Sequence, residues 1–529
     1  MVQDLPPRVV RDAFRSARRP LDDDERDRLR GFGEFTRTEL ERVAYEVDRW
    51  ARPQLRQGEP SAGKGSEIVL APDHARVLDR LFASGIAVGP VTGQHDWPYT
   101  FALMHEVADV GCLCSVTVTL ATAFCLDKWG SAPLKERYLP RVVENGGRGQ
   151  GATWATEEQG GSDLGSNRTL ARPGPAGRWT LSGEKFFCSN VGASFAVITA
   201  RPDGGAEGIR GIRLFFAPAW RSDGRPNWRI RRLKDKLGTI PVPTGEVILE
   251  ETEAYELGTP EVGVIPVMEM LNLSRVANAV GSAAVVQRAA ELAVDYARVR
   301  RAFGKPLAAH PLLALDLGTL ATEADAASLL ALDGAFQFGR AARDSPPYHT
   351  GTHLMRFTTH VAKLVIAEQA VRSATLAMEV LGGMGYLEER PVAKLVRDAL
   401  VTPIWEGGAN IQSLDGRDVV QRHHPERRWR AEAEKAGTRA TSETIRRFLA
   451  TRLDAVEALG EEVDAKSMIR SWGEIRQMTL LADRARGVRA PDAYRARAEL
   501  FAHLRSAPSS VAIPAALVEG AVDTTVPAP

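Results

Sequence analysis

The period of the apolar residues switches twice along the chain, and those two switches restrict the fold more than any other feature. Over roughly the first 150 residues the period is helical: Leu40, Val43, Val47 and Trp50 recur at spacings of three or four, and Val77, Leu78 and Leu81 fit one helical face further on. Between residues 151 and 251 short runs rich in β-branched and aromatic residues (WTLSGEKFFCSN, FAVITARP, IRLFFAPAW, WRIRRLKDKLG, GEVILEET) alternate with turn clusters, with no helical pattern interleaved. That texture predicts an antiparallel sheet or small barrel and argues against a parallel, Rossmann-like array. After Pro266 the helical spacing returns over residues 267–300, 311–343, 354–381 and 392–401, bounded by breakers such as FGKP, RDSPP, LGGMG and TPIWEGG. Four amphipathic segments with short joints predict a helical bundle. From about residue 423 the chain is helix-like and rich in Arg and Ala, and its last residues, EGAVDTTVPAP, read as a disordered tail. The expected class is α+β: an N-terminal helical domain (1–150), a middle antiparallel β domain (151–255), a C-terminal four-helix bundle (256–422) and a helical extension with its tail (423–529).

Length and charge narrow the function. A chain of 529 residues is too long for one hydrophobic core. Lys plus Arg number 68 against 67 Asp plus Glu, so no global field draws the protein to nucleic acid or to an anionic membrane. Cys112, Cys114, Cys125 and Cys188 are too few for a disulfide scaffold, and the Cys112-Leu113-Cys114 spacing is not that of zinc or thiol-redox sites. The N-terminal segment is charged throughout, and nowhere do 18 apolar residues run together. The expectation is a soluble cytoplasmic protein with no membrane partner.

Several segments carry candidate chemistry. QGEPSAGKG nearly spells a phosphate loop with Gly58, Gly63 and Lys64, but Gly65 stands where Ser or Thr must hold magnesium, and no apolar strand precedes it. TWATEEQGGSD, residues 153–163, exposes backbone N–H groups at Gly160-Gly161-Ser162, which suits a polar or anionic ligand. EKFFCSN places two aromatics on a strand beside hydrogen-bonding side chains, a setting for core packing or for a flat heterocycle. Gly-rich stretches end two long helices, at RRAFG and LGGMG, as helix caps commonly do. In Trp405-Glu406-Gly407-Gly408 a lone carboxylate lies between a bulky apolar residue and two glycines, where desolvation raises its pKa and suits it to act as a base. His349 and His353 are four apart, but Gly351 after Pro346-Pro347 points to a loop, so no metal site is expected.

Taken in order, T-E-x-x-G-G-S-D, K-F-F-x-S-N, R-R-A-F-G-K, L-G-G-M-G-Y and W-E-G-G-A-N-I-Q resemble the motifs of the acyl-CoA dehydrogenase family over about residues 101–420. TEEQGGSD, His310-Pro311, RLKDKLG, AMEVLGGMGY and IWEG look most like its AidB-type, alkylation-response branch, as does an extension of about a hundred residues after the bundle. The resemblance implies helical, β and four-helix domains in the order read from periodicity, with FAD as cofactor. Thr156, Ser162 and the backbone around them match contacts to the polar edge of the isoalloxazine. Phe187 and Ser189 stand where the family has Trp and Thr against the flavin. Arg300 and Phe303, followed by Lys305, match a segment that reaches the FAD of a neighbouring subunit, which implies a homo-oligomer, a dimer or tetramer. Glu379, Gly382 and Gly383 match a second FAD contact, with Glu379 where many members have Gln, and Gly408 and Asn410 match contacts to the adenosine diphosphate. Glu406 takes the place of the catalytic base, and its backbone N–H that of a donor to the thioester carbonyl. Ser162 and Arg275 match positions near the substrate; Arg275 reads equally as a bundle salt-bridge residue.

Three functions are compatible with this reading. The first is desaturation of an acyl thioester, on CoA or a carrier protein, with electrons passed to electron-transfer flavoprotein or oxygen. The second is a DNA-associated flavoprotein using Arg427, Arg428, Arg430, Arg446, Arg447, Arg484, Arg486 and Arg489 on phosphates, although Glu457, Glu461, Glu462 and Asp464 among them describe a mixed solvated face. The third is a flavin monooxygenase on the same scaffold. Glu406 favours desaturation over monooxygenation, because a hydroperoxyflavin reaction needs no base at the α-carbon.

Overall fold

A capping box opens the second helix of the chain: the Asp22 carboxylate accepts from the Glu25 N–H while the Glu25 carboxylate accepts from the Asp22 N–H. In the computed structural model, residues 8–58, 65–147, 149–486, 491–506 and 515–522 are described. The chain divides into two units, one of Met1–Thr36, Phe101–Ala108 and Asn278–Pro529, the other of Arg37–Thr100 and Asp109–Ala277. These cut across the four sequence segments, because the first helix packs Phe14 edge-on against Phe336, with ring centroids 5.0 Å apart, and so joins the bundle.

The N-terminal part holds α1 (Arg8–Ser16), α2 (Asp23–Phe35), a π-turn at Thr36–Leu40, α3 (Glu41–Arg49), a short hairpin of β1 (Gln54–Arg56) and β2 (Glu67–Val69), then α4 (Pro72–Ala83), α5 (Gly89–Thr92), α6 (Trp97–His105), α7 (Val110–Trp129) and α8 (Ala132–Val143). Leu40, Val43, Val47, Val77, Leu78 and Leu81 are buried as their spacing predicts, but Trp50 is 70% exposed. The helix ends at Arg49 and the backbone turns to φ −133° at Trp50, so the helical rotation that would carry it inward stops one residue early. Gly63 and Lys64 of the phosphate-loop-like segment lie outside the described residues. By length and composition α7 is apolar enough to cross a bilayer, yet 89% of its apolar window is buried in the protein, where it lies along the sheet. All four cysteines are buried thiols.

The sheet contains β3 (Gly151–Trp154), β4 (Leu170–Pro173), β5 (Trp179–Ser189), β6 (Phe195–Pro202), β7 (Arg213–Pro218), β8 (Arg229–Leu233) and β9 (Thr244–Leu257), in the order β3-β6-β4-β5-β9-β7 with β8 on β9. A further β6–β7 pairing closes β6, β4, β5, β9 and β7 into a ring, which leaves few free edges. Most pairings are antiparallel, but β3–β6 and β4–β6 are parallel, a feature the alternation of residues does not reveal. Its core includes Trp154, Leu181, Cys188, Ile198, Phe215 and Val247. The Thr119 hydroxyl of α7 accepts from the Gly151 N–H at 3.0 Å, and a Cβ on Gly151 would stand 2.4 Å from the Thr122 hydroxyl, so only glycine fits where β3 meets the helix.

The remainder is helical: α9 (Ile265–Val299), a two-residue hairpin of β10 (Arg301–Ala302) and β11 (Lys305–Pro306), α10 (Pro311–Ala341), α11 (Thr350–Val380), α12 (Pro391–Ala399), α13 (Ala409–His423), α14 (Glu426–Arg439), α15 (Glu443–Glu457), α16 (Ala465–Arg484), α17 (Pro491–Ser506) and α18 (Ala515–Val522). The fourth expected bundle segment is only the nine-residue α12, and the longer α13 packs along α11. The loop expected around Gly351 is instead the first turn of α11: His349 Nδ1 accepts from the Gly351 N–H at 2.9 Å and caps the helix. His353 therefore lies on that helix, its ring stacked on His423 at 3.4 Å. The tail expected to be disordered from Glu519 is helical to Val522; residues 523–529 lie outside the description.

Candidate active site

Two groups of motif residues form, one in each unit. In the β unit, the main-chain N–H of Phe186 donates to the Thr156 carbonyl at 3.0 Å, bringing β5 against the TEEQGGSD loop. Ser162 is exposed at the loop's tip, Thr156 and Ser189 are half-buried, and the Ser189 carbonyl accepts from Trp154 Nε1 at 3.2 Å. Phe187 is 55% exposed and meets Phe186 edge-on at 5.1 Å. Lys234 Nζ lies 3.1 Å from the Phe186 centroid and 5.0 Å from that of Phe187, held by the Glu246 carboxylate at 2.6 Å. Arg275 is buried on α9.

The loop is fixed from below by a pair the sequence did not single out. Glu157 and Lys185 are both buried, with Lys185 Nζ 2.8 Å from Glu157 Oε1. The same carboxylate accepts from the N–H groups of Arg168 and Thr169 and from the Thr169 hydroxyl. Burial works against the charged carboxylate, but the Lys185 charge and these donors hold the Glu157 pKa at about 2. Burial presses the Lys185 ammonium below its usual value despite Glu157 beside it.

In the helical unit Glu406 lies in the turn between α12 and α13, Gly408 caps α13 and Asn410 is in its first turn. Glu406 has φ +57° and Gly407 φ +90°, so a non-glycine residue sits in the left-handed region next to the glycine that continues the turn. Side chains from three elements hold it there. Trp405 Nε1 donates to Asn278 Oδ1 at 2.7 Å, and Asn278 Nδ2 donates to the Thr402 carbonyl at 3.1 Å, tying the turn to α9. Gln412 Nε2 donates to the Glu406 and Gly407 carbonyls at 2.9 and 3.0 Å. Lys363 Nζ, from α11, donates to the carbonyls of Gly407 at 2.7 Å and Pro403 at 3.2 Å. Because Gln412 spends its amide N–H groups on the turn, its Oε1 must accept from His360 Nδ1, 2.9 Å away, which fixes the histidine's tautomer. Gln412 lies inside W-E-G-G-A-N-I-Q, and Lys363 is marked in the sequence only as a lysine within the apolar run VAKLVIA. Trp405→Phe removes the donor to a buried amide oxygen and is expected to cost about 1–3 kcal/mol, read as a lowered thermal midpoint.

The other motif residues sit at helix ends. Phe303, φ +49°, and Gly304 form the tip of the β10–β11 hairpin just after Arg300, and Phe303 is 97% exposed. Gly382 and Gly383 follow α11 with nothing within 4 Å of a Cβ on either, and Gly408 caps α13 with only the Pro403 carbonyl, at 3.9 Å, that near. Within the helical unit, the open backbone at 382–383 and 408 suits a phosphorylated ligand group. Glu379 is exposed, and after burial its charge is the second cause of the raised Asp316 pKa. Among the described residues no group of three or more His, Cys, Asp or Glu could hold a metal ion.

Four of the extension's candidate arginines are paired with acids: Arg428 with Glu432, Arg430 with Glu457, Arg446 with Glu443 and Arg486 with Asp483. Burial lowers the Arg484 pKa, and Arg489 lies outside the described residues.

The chain thus runs from helices through a closed ring of strands to a bundle of long helices that carries Glu406 on a left-handed turn. Residues 152–252 match the middle domain of acyl-CoA dehydrogenases and residues 262–420 their C-terminal domain. The chain belongs to the acyl-CoA dehydrogenase family. It is 33% identical to AidB of Escherichia coli (strain K12) over 59% of this chain and 58% of that protein. It is 32% identical to an acyl-CoA dehydrogenase of Bacillus subtilis (strain 168) over 59% of this chain and 79% of that one. The chain thus spans little more than half the length of the AidB relative. The solved structure of Bd2924 in its apo form superposes with a TM-score of 0.80 at 27% identity, covering 90% of this chain and 96% of that one.

Proposed function

We propose that the protein is an FAD-dependent oxidoreductase that desaturates an acyl thioester, on CoA or a carrier protein, at Cα–Cβ and passes electrons to an acceptor such as electron-transfer flavoprotein or oxygen. The observation that carries this reading is the Glu406 turn: the chain places Glu406 in a left-handed conformation and ties the carbonyls around it to α9, α11 and α13. Such an arrangement suits a base that must meet one C–H bond in one orientation. In this reading the Glu406 carboxylate removes the α-proton and the Glu406 N–H donates to the thioester carbonyl, where charge develops. Bound FAD supplies the hydride acceptor for the β-hydrogen. By the resemblance, the residues that would hold it are Thr156, Ser162, Phe187, Ser189, Gly382, Gly383, Gly408 and Asn410, with Arg300 and Phe303 serving a second copy of the chain.

The experiment is anaerobic titration of the yellow holoprotein with a panel of acyl thioesters. One FAD per chain and bleaching of its absorbance by at least one thioester are expected. A protein that fails to retain FAD at micromolar concentration overturns the reading. The holoprotein is also expected to be a dimer or tetramer by light scattering, with Phe303→Ala losing flavin faster on dialysis; a monomer with full flavin removes the role given to Arg300 and Phe303.

A further inference from the structure

We infer that Lys363 is a positioning residue for the base, the group that sets where the Glu406 carboxylate points; this rests on the reading of Glu406 given above. Lys363 is fully buried on α11, and its Nζ reaches across to the carbonyls on both sides of Glu406, Pro403 and Gly407. Those two carbonyls begin and end the segment that carries the base, so one ammonium fixes its two ends. His360, three residues earlier on the same helix and also buried, holds Gln412, and Gln412 bonds the carbonyls of Glu406 and Gly407. The Gly407 carbonyl therefore receives donors from Lys363 and Gln412 together. With φ +57°, Glu406 occupies a conformation that costs about 1–3 kcal/mol and persists only where its surroundings over-determine it. Lys363 is placed to supply that constraint. Without it, the segment between Pro403 and Gly407 relaxes toward right-handed backbone, and the carboxylate swings away from the α-carbon while the rest of the site stays in place.

The test compares Lys363→Met and Gln412→Leu holoproteins with the parent and with Glu406→Gln. For both variants the expected result is full FAD content, an unchanged KM for the thioester that bleaches the parent, and a kcat lowered by about 10²-fold, the scale for a reacting group displaced by about 1 Å. Exchange of the substrate α-hydrogen with solvent deuterium, which needs the base alone, is expected to fall in parallel. Unchanged kcat and exchange in Lys363→Met, or a raised KM with kcat intact, overturn the inference. If Lys363→Met does not fold, Lys363→Gln decides, because its shorter amide cannot span the Pro403 and Gly407 carbonyls together: a parental kcat there overturns it. The Glu406→Gln control keeps the two claims apart. If that variant still reduces its flavin at the parental rate, the base assignment is wrong; if it is inactive while both positioning variants are parental, only the Lys363 inference falls.

Discussion

Glu406→Gln is expected to bind FAD and thioester as the parent does and to slow thioester-driven flavin reduction by about 10² to 10⁴-fold, the usual contribution of a positioned general base. The amide nearly matches the carboxylate in shape but cannot take up a proton. The change should leave the turn intact, because the bonds from Lys363 and Gln412 go to main-chain carbonyls, and Trp405 and Asn278 anchor the turn without the carboxylate. The loss then reports chemistry rather than folding. Stopped-flow absorbance of the flavin, with solvent-deuterium exchange at the α-carbon, measures it. A variant that bleaches as fast as the parent makes Glu406 a structural carboxylate.

Lys185→Met is expected to cost about 3–5 kcal/mol of stability, since it leaves the Glu157 carboxylate buried without its cation. Urea unfolding should show the loss as a lowered midpoint at an unchanged slope, and Glu157→Gln added to it should recover part of the loss by removing the stranded charge. A single variant within about 1 kcal/mol of the parent would mean that the hydrogen bonds to Glu157 carry the site alone. The pair also sets a pH dependence. Because the folded-state pKa of Glu157 is about 2, below its ordinary 4.5, its contribution is full above about pH 4.5 and fades as pH falls toward 2. Without Lys185 that fading should begin at a higher pH.

Both residues show why some of the site could be read from the sequence and some could not. Glu406 stands out because its neighbours in the chain, Trp405 and two glycines, are part of the signal. The Glu157–Lys185 pair spans 28 positions and Lys363 to Gly407 spans 44, and no local pattern records such a partnership. The same limit applies to the fold. Helical spacing placed α9, α10 and α11 to within a few residues, because each buries a face with a local period. The parallel β3–β6 pairing depends on which strands meet, and a helix start at Gly351 depends on one ring nitrogen of His349. Trp50 failed for the opposite reason: its spacing was right, but the helix had already ended.

Three arginines from beyond the bundle end on acids of a single helix, α10: Arg476 pairs with Asp333, Arg497 with Asp325 and Arg505 with Glu323. Tyr494 meanwhile bonds Asp12 of α1 at 3.1 Å, so the far ends of the sequence touch each other. The last hundred residues are thus not an appendage that could be trimmed, or grafted onto a shorter dehydrogenase to lend it new properties. A chain stopped near Arg422 would strip three acids on α10 of their counter-charges and uncover the face of α10 at Gly318, where Leu500 and Ala521 now lie.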